Sequence, residues 1–210
     1  MSTRAILYDK PECPFCWRVR MALHRCGLVY DRRDHESREA EWKSLTSSGT
    51  VPVLRIGELV MTDSSVMLEY LNHRFGGLWP QSPEVAANAR STAIEADRGV
   101  GSAVRDLVFE CRDRPPELWD RSTIDKAVTH WQQAMPALEH ALGDGDFFVP
   151  EMGVTDYVLA TRFGLAMAYG MPRADSAPLN AWYERICRRP EYMETAPQRV
   201  IAAIDKGWQA

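Results

Sequence analysis

Apolar positions come in short blocks up to about residue 75 and in long helical stripes beyond about residue 85. Residues 4–8 (RAILY) are apolar and in part β-branched, which predicts a first strand. DKPECP reads as a loop. Val19, Ala22, Leu23 and Cys26 recur at helical spacing with Gly27 as a stop, so a helix is expected over 15–26. LVYDRRD (28–34) suits a second strand. SREAEWKSL (37–45) suits a short polar helix with Trp42 and Leu45 on one side, ended by SSG. Val51 to Ile56 and Leu59 to Met61 read as two strands joined by a turn at Gly57-Glu58, and a helix follows from about Ser65 to Arg74. The order β-α-β-α-β-β-α asks for a mixed sheet covered by helices.

FGGLWPQSPEV, with two glycines and two prolines, then interrupts the pattern and reads as a linker. Beyond it no strand pattern recurs. Residues 85–110 meet few breakers apart from Gly99 and Gly101. Ser122 to Leu142 is another helical stretch, with a bend expected at Pro136. Residues 153–169 (GVTDYVLATRFGLAMAY) are almost wholly apolar, as for a helix buried on every side, and APLNAWYERICRR gives one more helix. The expected organisation is an α/β domain over 1–76, a linker over 77–86 and an all-α domain over 87–210.

The 210 residues suffice for two such domains, and a hydrophobic content of 45% can supply their cores. The formal charge of −4 gives no support for nucleic-acid binding. No apolar run approaches the ~20 residues that span a bilayer, and MSTRAILYDK has no stretch long enough for a signal peptide, so the expected location is the cytoplasm. Five cysteines, an odd number, argue against a secreted disulfide scaffold. Cys26, Cys111 and Cys187 are isolated and read as small buried hydrophobes.

The remaining two stand in ECPFC, residues 12–16. Cys13 falls at the expected helix start, where unpaired N–H groups and the helix dipole favour a thiolate. Pro14 suits the first turn, where its missing N–H costs nothing. Arg18 and Arg20 add positive potential nearby. Cys16 lies one turn deeper, where it can face Cys13 and attack a mixed disulfide. A metal site needs more: zinc takes four ligands, and His24 and His35 lack ligand spacing, so no metal is expected. A thiol redox centre, a nucleophilic thiol and a structural pair remain open from this motif alone.

Two further features converge on it. Val51-Pro52 opens an expected strand, where proline cannot donate to the ladder; a cis peptide is one solution and an ordinary edge-strand proline is the other. Thr62-Asp63-Ser64-Ser65 directly precedes a helix. Capping accounts for one of these residues. The helix N-terminus is also an anion site, where Ser64 could accept a carboxylate while Asp63 pairs with an ammonium. A peptide thiol held between this turn and Cys13 is the ligand these features suggest together.

Over essentially its full length the chain resembles the cysteine-containing glutathione transferases, of omega-like or glutaredoxin-like kind. The resemblance rests on CPFC, TVPVL (50–54), TDSSVMLEYL (62–71), the linker, GVTDYVLA (153–160) and AWYERICRRPEY (181–192). It implies a thioredoxin-like N-terminal domain, an all-helical C-terminal domain, a homodimer, and glutathione as co-substrate with an electrophile or disulfide as the second. It implies that Cys13 is the reactive thiol, with Cys16 as a possible resolving thiol. Val51 would pair its backbone with the cysteinyl part of glutathione, Pro52 would be the cis-proline, and Asp63 and Ser64 would bind the γ-glutamyl group. Asp63 departs from the commoner glutamate. Gly153 replaces the usual Ser or Thr cap, leaving Asp156 in a structural role as half of a capping box. Possible lining residues for the second substrate are Arg90, Glu95, Arg98, Arg105, Phe109, Trp119 and Tyr169. Thiol transfer or reductive deglutathionylation is the expected activity. A dithiol glutaredoxin-type oxidoreductase and a non-catalytic interaction module are the alternatives.

Overall fold

The computed structural model describes residues 5–207, so Arg4 of the first expected strand lies outside the described residues. The chain divides into two compact units, Met1–Trp79 and Pro80–Ala210.

In the first unit the order is β1 (Ala5–Asp9), α1 (Pro14–Arg25), β2 (Tyr30–Asp34), α2 (Glu39–Lys43), β3 (Val53–Ile56), β4 (Leu59–Met61) and α3 (Ser64–Phe75). The sheet runs β2-β1-β3-β4, with β2 parallel to β1 and both other pairings antiparallel. AILYD takes a central position and is buried throughout, whereas YDRRD is half exposed at an edge. Alternation puts Ile6 and Tyr8 on one face, where they cluster with Val53 and with Trp42 of α2. Asp9 points to the other face and meets Arg20 of α1 there.

The boundaries differ from the sequence expectation for local reasons. Leu28 does not begin the second strand, because its N–H closes the end of α1 on the Leu23 carbonyl (3.0 Å), while the Gly27 N–H bonds to the His24 carbonyl (2.9 Å). This paired closure needs a left-handed residue between helix and strand, and Gly27 supplies it at φ +62°. The third strand starts at Val53, opposite Tyr8, and not at Val51. Val51-Pro52 is a cis peptide immediately before it.

Every regular element among the described residues of the second unit is a helix: α4 (Pro83–Arg98), α5 (Val100–Asp113), a 3-10 turn (Pro116–Leu118), α6 (Arg121–Leu142), α7 (Val154–Ala168), α8 (Ala177–Ile186), α9 (Pro190–Met193) and α10 (Gln198–Lys206). Helix α4 starts within the expected linker, because Ser82 caps it and Pro83 fits its first turn. Gly99 separates α4 from α5, and α6 runs through Pro136. The apolar stretch forms α7, buried from Val154 to Met167 and packed by α4, α5, α8 and α10. Phe163 of α7 anchors an aromatic cluster, with Trp131 at 4.7 Å, Trp182 at 5.2 Å and Tyr183 at 5.7 Å between ring centres. No helix among the described residues is long and apolar enough to cross a membrane.

Candidate active site

Three features of the first unit meet at one end of its sheet. Strand β1 delivers Cys13 there, four residues after Asp9. The antiparallel β3 begins there, so Val51-Pro52 lies at the same end. Strand β4, antiparallel to β3, returns there and leads directly into Asp63 and Ser64.

Cys13 is the N-cap of α1. Its N–H bonds to the Lys10 carbonyl (3.2 Å), and its own carbonyl accepts the first helical bond from Trp17 (2.9 Å). Cys13 is half-buried and Cys16 is fully buried. The Cys16 thiol is pushed well above its ordinary range, first by burial and then by its hydrogen bond and repulsion with Cys13; a backbone bond from Lys10 opposes this. Cys16 therefore keeps its proton and presents it to the Cys13 sulfur, and an S–H donor at that sulfur favours the Cys13 thiolate. The other cysteines are also protonated groups: burial pushes Cys26 and Cys187 each to about 11 and Cys111 upward.

Pro52 is buried, and Val51 packs partly against the Ile6–Tyr8–Trp42–Val53 cluster. Asp63 is an exposed N-cap whose Oδ1 accepts from the N–H groups of Ser65 (2.8 Å) and Val66 (3.1 Å). Ser64 is buried, and its hydroxyl accepts from Arg18 through Nε (3.2 Å) and Nη2 (2.7 Å). The sequence reading gave Arg18 only a diffuse positive potential; the structure gives it a specific partner across α1 and α3. Arg18 also lies 4.8 Å from the ring centre of Phe15, one of the two residues between the cysteines. The available signal was its place on α1, five positions after Cys13, in a helix that must pack on α3.

Tyr8 is not aimed at this end of the site as a free hydroxyl. It donates to Glu41 and accepts from Arg33 (3.4 Å), and burial, with the Glu41 bond second, raises its pKa further.

The residues named as possible lining for a second substrate all lie in the helical unit, and there they have local duties. Arg105 pairs with Asp106, Phe109 lies under Arg112, the Trp119 indole donates to the Arg114 carbonyl, and Tyr169 is buried under Arg199. Glu95 and Arg98 are exposed and Arg90 half-buried on α4. None of the seven lines the cavity of about 400 Å³ between Met167, Tyr183, Cys187 and Ile204. At the start of α7 the Gly153 N–H bonds to Asp156 Oδ2 (3.0 Å), while Oδ1 accepts from the Phe148 N–H (3.0 Å) and the Trp182 indole (2.9 Å). Gly153 has no side chain to return the cap, so the box is half made. Burial raises the Asp156 carboxyl to about 6 against these donors. Among the described residues no group of three or more His, Cys, Asp or Glu is placed to hold a metal ion.

Residues 12–74 match the family described as "Glutathione S-transferase, N-terminal domain". The chain is 29% identical over 183 residues to "Glutathione S-transferase 1" of Dianthus caryophyllus, covering 77% of this chain and 80% of that one. It is 29% identical over 181 residues to a probable maleylacetoacetate isomerase of Vibrio cholerae, covering 78% and 84%. The theta class glutathione S-transferase of Xanthomonas axonopodis pv. citri, solved with glutathione bound, superposes with a TM-score of 0.83 at 20% identity, covering 92% and 97%. The fold is accordingly a thioredoxin-like N-terminal unit followed by an all-helical unit, as the sequence led one to expect. The segment similar to that family holds Cys13, Val51, Pro52, Asp63 and Ser64.

Proposed function

We propose that this protein is a glutathione transferase that works through its own cysteine, transferring or removing glutathione at sulfur. The observation that carries the reading is the unequal pair at the start of α1: a reachable Cys13 whose sulfur receives a hydrogen bond from a buried, protonated Cys16. Two relatives named as a glutathione S-transferase and an isomerase support an enzyme, and a structural neighbour with glutathione bound supports glutathione as co-substrate. In this reading Val51 offers its backbone to the cysteinyl portion, and Asp63 and Ser64 face the γ-glutamyl portion. Homodimer formation belongs to the same reading, on family resemblance.

The chemistry balances without a metal. The Cys13 thiolate attacks the glutathione sulfur of a mixed disulfide. The Cys13–glutathione S–S bond forms, the S–S bond between glutathione and the substrate sulfur breaks, and the substrate thiolate leaves with the electron pair and takes a proton from water. A second glutathione thiolate attacks the bound glutathione sulfur, releasing glutathione disulfide and restoring Cys13. Conjugation, by contrast, asks for a hydroxyl donor to glutathione's own thiolate, and Tyr8 is committed to Glu41. A dithiol cycle through Cys16 is the second reading, favoured by the direct Cys16–Cys13 hydrogen bond and opposed by the burial of Cys16. The deciding assay supplies glutathione and a peptide–glutathione mixed disulfide to the protein and follows peptide thiol release. Release that depends on Cys13 sustains the reading, and its absence refutes it.

A further inference from the structure

Cys13, Cys16 and Arg20 stand at i, i+3 and i+7, on one face of α1. Arg20 is almost fully buried (1% exposed) two turns below Cys13. Its Nη2 donates to the Pro11 carbonyl (2.9 Å), and its Nη1 donates to Asp9 Oδ2 and reaches the Lys10 carbonyl at 3.5 Å. Asp9 is itself buried and is held from β2 by Arg32, whose Nε lies 2.9 Å from Oδ1. The loop so gripped is the one that presents Cys13. Pro11 removes one of its N–H donors, so its carbonyls depend on side chains more than those of an ordinary turn. The Lys10 peptide joins all three residues: its carbonyl takes the Cys13 N–H as well as the Arg20 contact, and its backbone bonds to the Cys16 thiol.

We propose that Arg20, braced by Asp9, is a positioning residue for the Cys13 thiol. The planar guanidinium fixes the Lys10 and Pro11 carbonyls together, and through Lys10 it fixes the Cys13 amide at the mouth of α1. A lysine would keep the charge and lose the fork. The inference rests on the reading of Cys13 as the reactive thiol, since only there does the loop's geometry reach the chemistry.

The test compares Arg20→Lys, Arg20→Met and Asp9→Asn with the unaltered protein. The control is Arg162→Lys, which disturbs another arginine–aspartate pair, between the buried Arg162 and the half-buried Asp97, in the helical unit. Alkylation of Cys13 by iodoacetamide is followed from pH 5 to 9, with Cys13 resolved by mass spectrometry, alongside kcat and KM for thiol transfer. In Arg20→Lys the pH midpoint of Cys13 alkylation is expected to rise by about half a unit or more and kcat to fall about tenfold, with KM for glutathione within about twofold, as for a displaced reacting group. Asp9→Asn is expected to lie between Arg20→Lys and the unaltered protein. Arg162→Lys is expected to lower thermal stability without moving either reading. A folded Arg20→Lys with an unchanged midpoint and kcat overturns the proposal, and so does an equal shift in Arg162→Lys. Should Arg20→Met fail to fold, the lysine and Asp9 variants decide. Alkylation needs no glutathione, so a Cys13 that responds to Arg20 in a protein without thiol transfer upholds the positioning role and refutes the functional reading.

Discussion

Arg18 gives two of its N–H groups to one oxygen, the buried hydroxyl of Ser64, at 3.2 and 2.7 Å. A serine oxygen has two lone pairs and one proton. With its lone pairs met by the guanidinium, the hydroxyl presents its proton at the start of α3, where helix N–H groups already favour an anion. Arg18→Met is therefore expected to weaken glutathione binding about tenfold, the scale of one charge-assisted hydrogen bond. Calorimetric titration with glutathione measures it, and an unchanged Kd would show that this corner does not hold the ligand.

The two cysteines are expected to respond unequally to substitution. Cys13→Ser should lower thiol transfer by about a thousandfold or more, because an alcohol replaces the thiolate nucleophile. Cys16→Ser should retain activity within about tenfold, because the attacking glutathione comes from solution and Cys16 is buried and protonated. Loss of activity in Cys16→Ser would favour the dithiol cycle.

Asp156 makes stability depend on pH in a definite sense. Its carboxyl titrates at about 6 in the folded chain, raised by burial from the ordinary 3.8. The folded state thus holds the proton more tightly than the unfolded one. Its contribution is fully present below about pH 4 and is lost as pH rises through about 6, amounting to roughly 3 kcal/mol. Asp156→Asn does not titrate, so its stability cost should be larger near pH 4.5 than near pH 7.5 in urea unfolding. The opposite trend would mean that the three N–H donors, and not burial, dominate the carboxyl.

Phe163→Ala is expected to cost about 3–5 kcal/mol, the range for deleting a buried aromatic ring whose surroundings cannot collapse. Phe163 is fully buried and touches Trp131, Trp182 and Tyr183, which lie on α6 and α8. Unfolding by denaturant checks it; a cost under about 1 kcal/mol would mean the cluster closes over the gap.

Much of the layout was legible in the residues because the signals were local. AILY, the stop at Gly27 and the unbroken apolar run of α7 each determine their element through nearest neighbours. Helix α10 escaped, although Val200, Ile201 and Ile204 recur in it at helical spacing; it is only nine residues long. The start of β3 was misplaced by two residues because Val51 looks like a strand residue, while the ladder is set by pairing with Tyr8. At the site, Cys13 and Cys16 could be read from spacing. The Arg18–Ser64 and Arg20–Pro11 contacts could not, since 46 residues separate the first pair and a main-chain carbonyl forms half of the second. For the seven helical-unit residues, residue type alone does not record that Arg105 pairs with Asp106 or that Phe109 lies under Arg112.

The order β2-β1-β3-β4 leaves two strands unpaired on one side, and the chain treats both as borders to be closed. One border carries Asp31, Arg32, Arg33 and Asp34 in succession, and the other is only three residues long. Neither offers a flat apolar ladder to a newcomer. Extension of the sheet from one molecule into the next is thereby discouraged. Any second molecule would meet these borders through side chains and not through a continued ladder.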